Sequence, residues 1–352
     1  TTEKELGFVV AALGNDELTY EKKHEFNFGV DAGFFNNRLN VTFDVYQRRN
    51  FDEIAPTVTQ LYGTVYANVG SMKSWGEELS ISSTNVKTND FSWQTSLIYS
   101  HNRTEITDLY NQGRVIDLVQ GNGFAKQGYP ARALFSIPFV GINEKGNPVC
   151  INEKGQATVG DLNFQERNNT DYLIYEGSTD PIYNGSLGNT FNYKGFHLNL
   201  FLTYAFGNVV RLDPVFKAKY NDLTSMTHDF KNRWMQPGDE NVTNVPGVVS
   251  RYEYEQNRTL LSTAYNAYNY TSVRTAKGDF IRLKEISLAY DFPHRWLENS
   301  PVNNISLKLQ ATNLMLLYAD KKLNGQDPEF MNAGGVASPM PKQFTLTLKL
   351  GL

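Results

Sequence analysis

Apolar and polar positions alternate strictly through the end of the chain, QFTLTLKLGL over 343–352. Phe344, Leu346, Leu348, Leu350 and Leu352 share one side; Gln343, Thr345, Thr347, Lys349 and Gly351 share the other. A period of two marks a β-strand with one apolar and one polar face. The same pattern predicts strands over 22–35 and 39–50, with Asn36-Asn37 at the turn, and over 73–85 and 91–100, joined by VKTND. It also predicts a hairpin over 189–207 with Lys194-Gly195 at its tip, and strands over 278–291 and 304–317. Within 278–291, Ile281 and Leu283 hold one phase while Ile286, Leu288 and Tyr290 hold the other. That shift predicts a bulge near Lys284-Glu285.

The connections alternate in length. Short turns at 35–38, 86–90, 194–195 and 292–303 interleave with long segments at 51–72, 102–181, 208–277 and 319–342. Inside the long segments, NEKGNP and NEKGQ read as turns of local hairpins around 130–142 and 147–151. FKAKYNDLTSMTHDFKNRW, 216–234, is the only stretch that reads as a helix. Residues 1–18 carry no clear element.

Composition narrows the class. Among 352 residues, 22 Phe, 20 Tyr and 27 Gly favour strands and turns over helices. The net charge of −4 gives no reason to expect nucleic acid as a partner. The single cysteine, Cys150, excludes an internal disulfide. No run approaches the ~18 apolar residues of a membrane helix. That test is blind to barrels, whose strands show only every second residue to lipid.

Two all-β architectures fit the alternation: a soluble surface glycan-binding β-sandwich, and an antiparallel transmembrane β-barrel. Three features favour the barrel. The polar faces are mostly Asn, Thr, Ser, Gly and Gln, where a water-facing sheet would carry more Lys and Glu. The loops are sorted by length, as in barrels with short periplasmic turns and long extracellular loops. Aromatic residues on the apolar faces cluster at strand ends: Phe34, Phe91, Trp93, Tyr193 and Phe196 beside the short turns, Tyr99, Tyr204 and Phe206 toward the long loops.

Several stretches, in order, carry a family resemblance: NVGSMKSWGEELSISSTN, NTFNYKGFHLNLFLTYAFGN, NRWMQPGDE, GDFIRLKEISLAYDFP, QATNLMLL, GQDPE and PMPKQFTLTLKLGL. Together they resemble the C-terminal part of SusC/RagA-type TonB-dependent outer-membrane transporters of Bacteroidetes. The resemblance implies nine or ten strands of a barrel of roughly 22, with the plug domain and the N-terminal strands absent from 1–352. It further implies an outer-membrane location, a C-terminus on the periplasmic side and a SusD-like surface lipoprotein as lid. Import of oligosaccharides or peptides would be driven by proton-motive force through TonB acting on the plug, without a cofactor or catalysis. One departure stands out: members often end in an aromatic residue, and this chain ends in Leu352.

Candidate contact residues are Trp234, Tyr252, Tyr254, Tyr265, Tyr268 and Tyr270, all in the insertion 208–277. Aromatic side chains there could stack on sugar rings or peptide side chains, grip a lid protein, or simply pack the loop. Asp239-Glu240 and Asp327 with Glu329 lack the dense oxygen spacing of a calcium loop and read as solvated turns. The histidines are scattered, with no metal-binding pair; His197 reads as a wall residue on the polar face. No nucleophile elbow or phosphate loop is present in the sequence.

Overall fold

A computed structural model describes residues 15–59, 63–220, 226–298, 301–331 and 340–351. Its frame is one antiparallel sheet of nine strands whose order in space is their order in sequence. The strands are β1 (Lys22–Phe34), β2 (Leu39–Thr59), β3 (Gly63–Lys87), β4 (Phe91–Leu109), β5 (Tyr183–Tyr193), β6 (Phe196–Phe206), β7 (Phe280–Asp291), β8 (Asn304–Ala319) and β9 (Gln343–Gly351). Each matches an alternating run. Leu352 and the start of the chain, 1–14, lie outside the described residues.

Registry lines the apolar positions into continuous rows. Val86 faces Trp93, Trp93 faces Phe191, and the row continues through Leu198, Leu288 and Leu309 to Leu346. A second row joins Val30, Phe43, Leu79 and Tyr99. Cross-strand neighbours of this kind stabilise a sheet, but nothing among the described residues covers them. Leu346, Leu348 and Leu350 are 69%, 59% and 55% exposed, and Phe26 is 67% exposed. The sandwich reading required these faces to pack on a second sheet, so the fold overturns it. Fully burying such a side chain contributes roughly 1.5–3 kcal/mol. A face that leaves whole rows open is stable only against an apolar medium.

The bulge falls where the phase shift placed it. Leu202 faces Leu283 and Phe201 faces Glu285, so Lys284 is the extra residue. The turns follow from local chemistry. Lys194 and Gly195 take φ of 45° and 87°, and Asn36 and Asn37 take 56° and 62°, the left-handed conformations that tight hairpins need. At the opposite end the strands run further than the alternation indicated. β2 continues to Thr59, β3 begins at Gly63 and β4 reaches Leu109, so most of the predicted loop 51–72 is a tall hairpin.

The other three long insertions fold at that same end, and the polar-face residues Thr104 and Arg282 bond the first and the third of them. The first, between β4 and β5, holds helix α1 (Val115–Val119) and a three-stranded meander of 139–142, 148–151 and 157–158. Its two NEKG turns are built alike. Asn143 Oδ1 accepts from the backbone of Lys145 and Asn147, and Asn152 Oδ1 from that of Lys154 and Gln156. Residues 133–136 pair with 174–178 rather than forming a local hairpin with 139–142. The second insertion, between β6 and β7, contains α2 (Arg251–Gln256) and α3 (Arg258–Asn269). The helix expected over 216–234 is not there: its described part holds only a single 3₁₀ turn, His228–Asn232. Segment 221–225 of that expectation lies outside the described residues.

Candidate functional site

The insertions are not separate loops. Val115, Leu118, Val119, Phe135, Ile137 and Cys150 of the first form one buried cluster with Ala267 of α3. A second cluster joins Val210, Leu212 and Ala276 of the second insertion to Leu323 and Met331 of the third. The result is a cap whose interior packs like that of a soluble domain.

Three buried arginines tie the cap together. Arg211 is 4% exposed. It donates to the carbonyls of Val119 (3.2 Å), Thr271 (2.7 Å) and Phe135 (2.6 Å) and to Ser136 Oγ (3.0 Å). It thereby bridges the first two insertions. Burial pulls its guanidinium down to about 10, with the nearby Glu176 acting in the other direction, so the group stays charged near neutrality. Arg274 stacks over the Phe216 ring at 4.8 Å, donates to the Asp213 carbonyl at 3.1 Å and lies 3.6 Å from Asp229. Burial lowers it as well. Arg282, on the polar face of β7, donates to both oxygens of Asp327 at 2.6 and 2.7 Å. Glu329 stands 3.2 Å away. Asp327 is fully buried, which corrects its reading as a solvated turn: the GQDPE motif pins the third insertion to the wall. Nothing in the sequence flags this pair beyond the apolar setting of Arg282.

The six candidate aromatics separate by burial. Tyr265 and Tyr268 are 1% and 2% exposed and belong to the cap core, not to a binding surface. Tyr265 donates to the Gly247 carbonyl at 2.5 Å, and Tyr268 meets Phe216 and Phe139 edge-on. Burial raises both phenols well above their usual range. Tyr270 is half-buried, edge-on to Phe164. Tyr254 bonds Ser262 Oγ at 3.3 Å, with Lys219 over its ring at 5.8 Å. Trp234 covers the Gly146 turn and donates from Nε1 to Glu240 Oε2 at 3.0 Å. This bond holds the Glu240 carboxyl below its usual range. Asp239 accepts from the backbone of Met235 and Gln236, so Asp239-Glu240 braces its own turn. Only Tyr252, 77% exposed, stands free on the surface. Exposed Met235, Val242, Val248 and Leu260 occur in the same stretch, 235–260.

Beneath the cap, a cavity of ≈ 770 Å³ opens on the polar face. Ser186 and Thr203 line its wall, and Arg132, Asp180, Lys284 and Glu329 line its rim. The cavity therefore offers both charges and hydroxyls, the groups that bind a polar solute. Toward the short turns, His197 stays a wall residue, bonded to Asn192 at 2.6 Å and to Asp291 at 2.9 Å. Cys150 is buried, which pushes its thiol up to about 12 and leaves it inert. No group of metal-binding side chains occurs among the described residues.

Comparison with known proteins agrees with this architecture. Residues 5–213 match the family described as TonB dependent receptor-like, beta-barrel. The chain is 26% identical over 381 residues to TonB-dependent receptor P39 of Formosa agariphila, covering 95% of this chain and 35% of that protein. It is 26% identical over 356 residues to TonB-dependent receptor SusC of Bacteroides thetaiotaomicron, covering 96% and 32%. It thus spans about a third of the length of these relatives. The structure superposes on that of the RagAB peptide transporter with a TM-score of 0.75 at 25% identity, over 99% of this chain and 37% of that one. The relatives are receptors and transporters by name. A sheet with uncovered leucine rows, a cap at one end and these matches together establish that the chain belongs to the TonB-dependent receptor β-barrel family, of the SusC/RagA type.

Proposed function

We propose that this chain supplies nine consecutive staves of an outer-membrane importer that moves oligosaccharides or peptides with energy delivered by TonB. The cap faces outward, and the C-terminal strand ends at the periplasmic side. The observation that carries this reading is the sorting of connections: every long one lies at one end of the sheet, where the polar-face residues Thr104 and Arg282 hold the first and third insertions. A cap so placed roofs a polar passage, while the short turns leave the other end open. β1 and β9 each pair on one side only among the described residues. An unpaired strand edge is intolerable in lipid. The remaining strands and a plug, on which TonB pulls, would come from sequence beyond this chain.

The surface assigned to a SusD-like lipoprotein lid is the 235–260 stretch with Tyr252 at its centre, because it offers apolar side chains the cap does not use. The polar cavity is assigned to the solute. The test is growth of a strain lacking the whole receptor on oligosaccharides and on oligopeptides as sole nutrient. Loss of growth on one class, restored by the intact gene, is expected. Unimpaired growth and uptake on both would overturn import.

A further inference from the structure

Resting on the orientation just proposed, we propose that the outer wall of β2, β3 and β4 holds a docking site for the phosphate-bearing headgroup of an outer-leaflet lipid. Its cations are Arg49, Lys73 and Arg103. They belong to the uncovered face by phase. From the apolar row Phe43, Leu79 and Tyr99, the next outward pairs toward the cap are Val45 with Glu77 and Glu77 with His101. Then come Gln47 with Trp75 and Trp75 with Arg103, followed by Arg49 with Lys73 and Lys73 with Glu105. No register shift interrupts these pairs, so all keep the same side.

Height fixes the kind of ligand. Arg103 lies four residues beyond Tyr99 on β4, which in a strand tilted as barrel strands are amounts to roughly 10 Å. The three cations therefore sit just past the end of the hydrocarbon-facing rows, where the headgroup layer begins. Trp75 lies among them, the residue type that marks this boundary.

Pairing leaves two of the three charges unused. Lys73 lies 3.0 Å from Glu105 and 5.6 Å from the centre of the Trp75 ring. Arg49 and Arg103 are exposed and have no ion-pair partner among the described residues. Arg103, Trp75 and Glu105 line a cavity of ≈ 300 Å³ at the free edge of β4, shared with Asn102, Thr104 and, from the first insertion, Tyr175 and Asp180, the last paired with Arg132. Guanidinium groups suit a phosphate, and the cavity beside them suits the polar body that carries it.

The short-turn end of the same face is built differently. Its outward polar groups are neutral and satisfy one another. Ser83 Oγ donates to Asn85 Oδ1, Asn85 to Thr95 Oγ1, and both Thr95 and Trp93 Nε1 to Asn189 Oδ1. On these strands, outward cations without ion-pair partners lie toward the cap, and a closed neutral network lies toward the short turns.

The test uses the full-length receptor, assembled and purified in mild detergent, and counts retained lipid by native mass spectrometry. The probe is a bisphosphorylated glycolipid, compared with its dephosphorylated form and with inorganic phosphate as competitor. The double variant Arg49→Gln/Arg103→Gln should retain roughly tenfold less phosphorylated lipid than the parent, each cation near an anionic headgroup contributing severalfold. The dephosphorylated form should bind both proteins equally, and inorganic phosphate should not displace the lipid. Equal retention by parent and double variant, or an equal loss of the dephosphorylated form, overturns the site. Full displacement by inorganic phosphate means a free-anion site and overturns the lipid assignment. Arg295→Gln, at the short-turn end, should change nothing; loss there alone would mean that the orientation itself is wrong.

Discussion

The wall and the cap treat apolar side chains in opposite ways. In the wall, the rows through Leu309 and Leu346 are open to the surroundings, and the polar side chains face the interior. In the cap, Phe135, Tyr265 and Leu261 turn inward, and charge is buried only where it is bonded, as at Arg211. The two regions are continuous in the chain, so the difference reflects the solvent each expects. The wall is complementary to lipid on one side. The cap is a soluble structure that rests on the sheet through buried pairs such as Arg282–Asp327.

Breaking the link between them should have the largest effect. Asp327→Ala leaves the Arg282 charge buried with only the half-exposed Glu329 beside it. A loss of about 3 kcal/mol is expected, local to the cap. Limited trypsin digestion of the assembled receptor should then cut within the third insertion, while the folded barrel's shift on unheated gels persists. If the barrel band is lost as well, the two regions are not independent. Next in size, Leu309→Arg puts a charge on the open row, and a lipid-facing site should lose about 2–4 kcal/mol. Thr347→Arg, on the polar face of the neighbouring strand, should cost far less. Urea titration of the refolded receptor in lipid vesicles would compare them, and equal costs would erase the distinction between faces.

Within the cap, Tyr265→Phe removes the bond to the Gly247 carbonyl and keeps the ring. It should cost about 1 kcal/mol, seen as faster proteolysis of the cap without loss of the barrel band. The smallest expected effect on stability is that of Tyr252→Ala, within roughly 0.5 kcal/mol. The same substitution should weaken co-purification of the lipoprotein partner. Unchanged co-purification would remove Tyr252 from the lid surface.

The wall was legible because lipid on one face and a polar interior on the other force a period of two. Even the bulge at Lys284 announced itself as a change of phase. Legibility ended where that contrast ends. β2, β3 and β4 rise past the open rows, where polar residues such as Glu53, Ser71 and Thr104 occupy strand positions, and alternation no longer marks them. In the cap the signals were present but of another kind. Leu261, Ala264, Tyr265 and Tyr268 recur at helical spacing and fill one buried face of α3. Ser250, three residues before Glu253, caps α2 by accepting from its backbone N–H. For Tyr265 and Tyr268 that helical spacing decides for packing among the three roles their residue type allows. Asp327 was hidden for a different reason: its partner lies 45 positions earlier, on a strand, and no local pattern connects them.

The central claim is that the leucine row of β9 faces lipid. Nitroxide labels placed one at a time from 344 to 350, in a full-length receptor carrying Cys150→Ser and reconstituted in vesicles, test it most directly. Collision with oxygen, which concentrates in the bilayer, should peak at 344, 346, 348 and 350. Collision with a water-soluble nickel chelate should be low at those positions. A profile without this alternation, or even-numbered positions shielded from both reagents, would contradict the account.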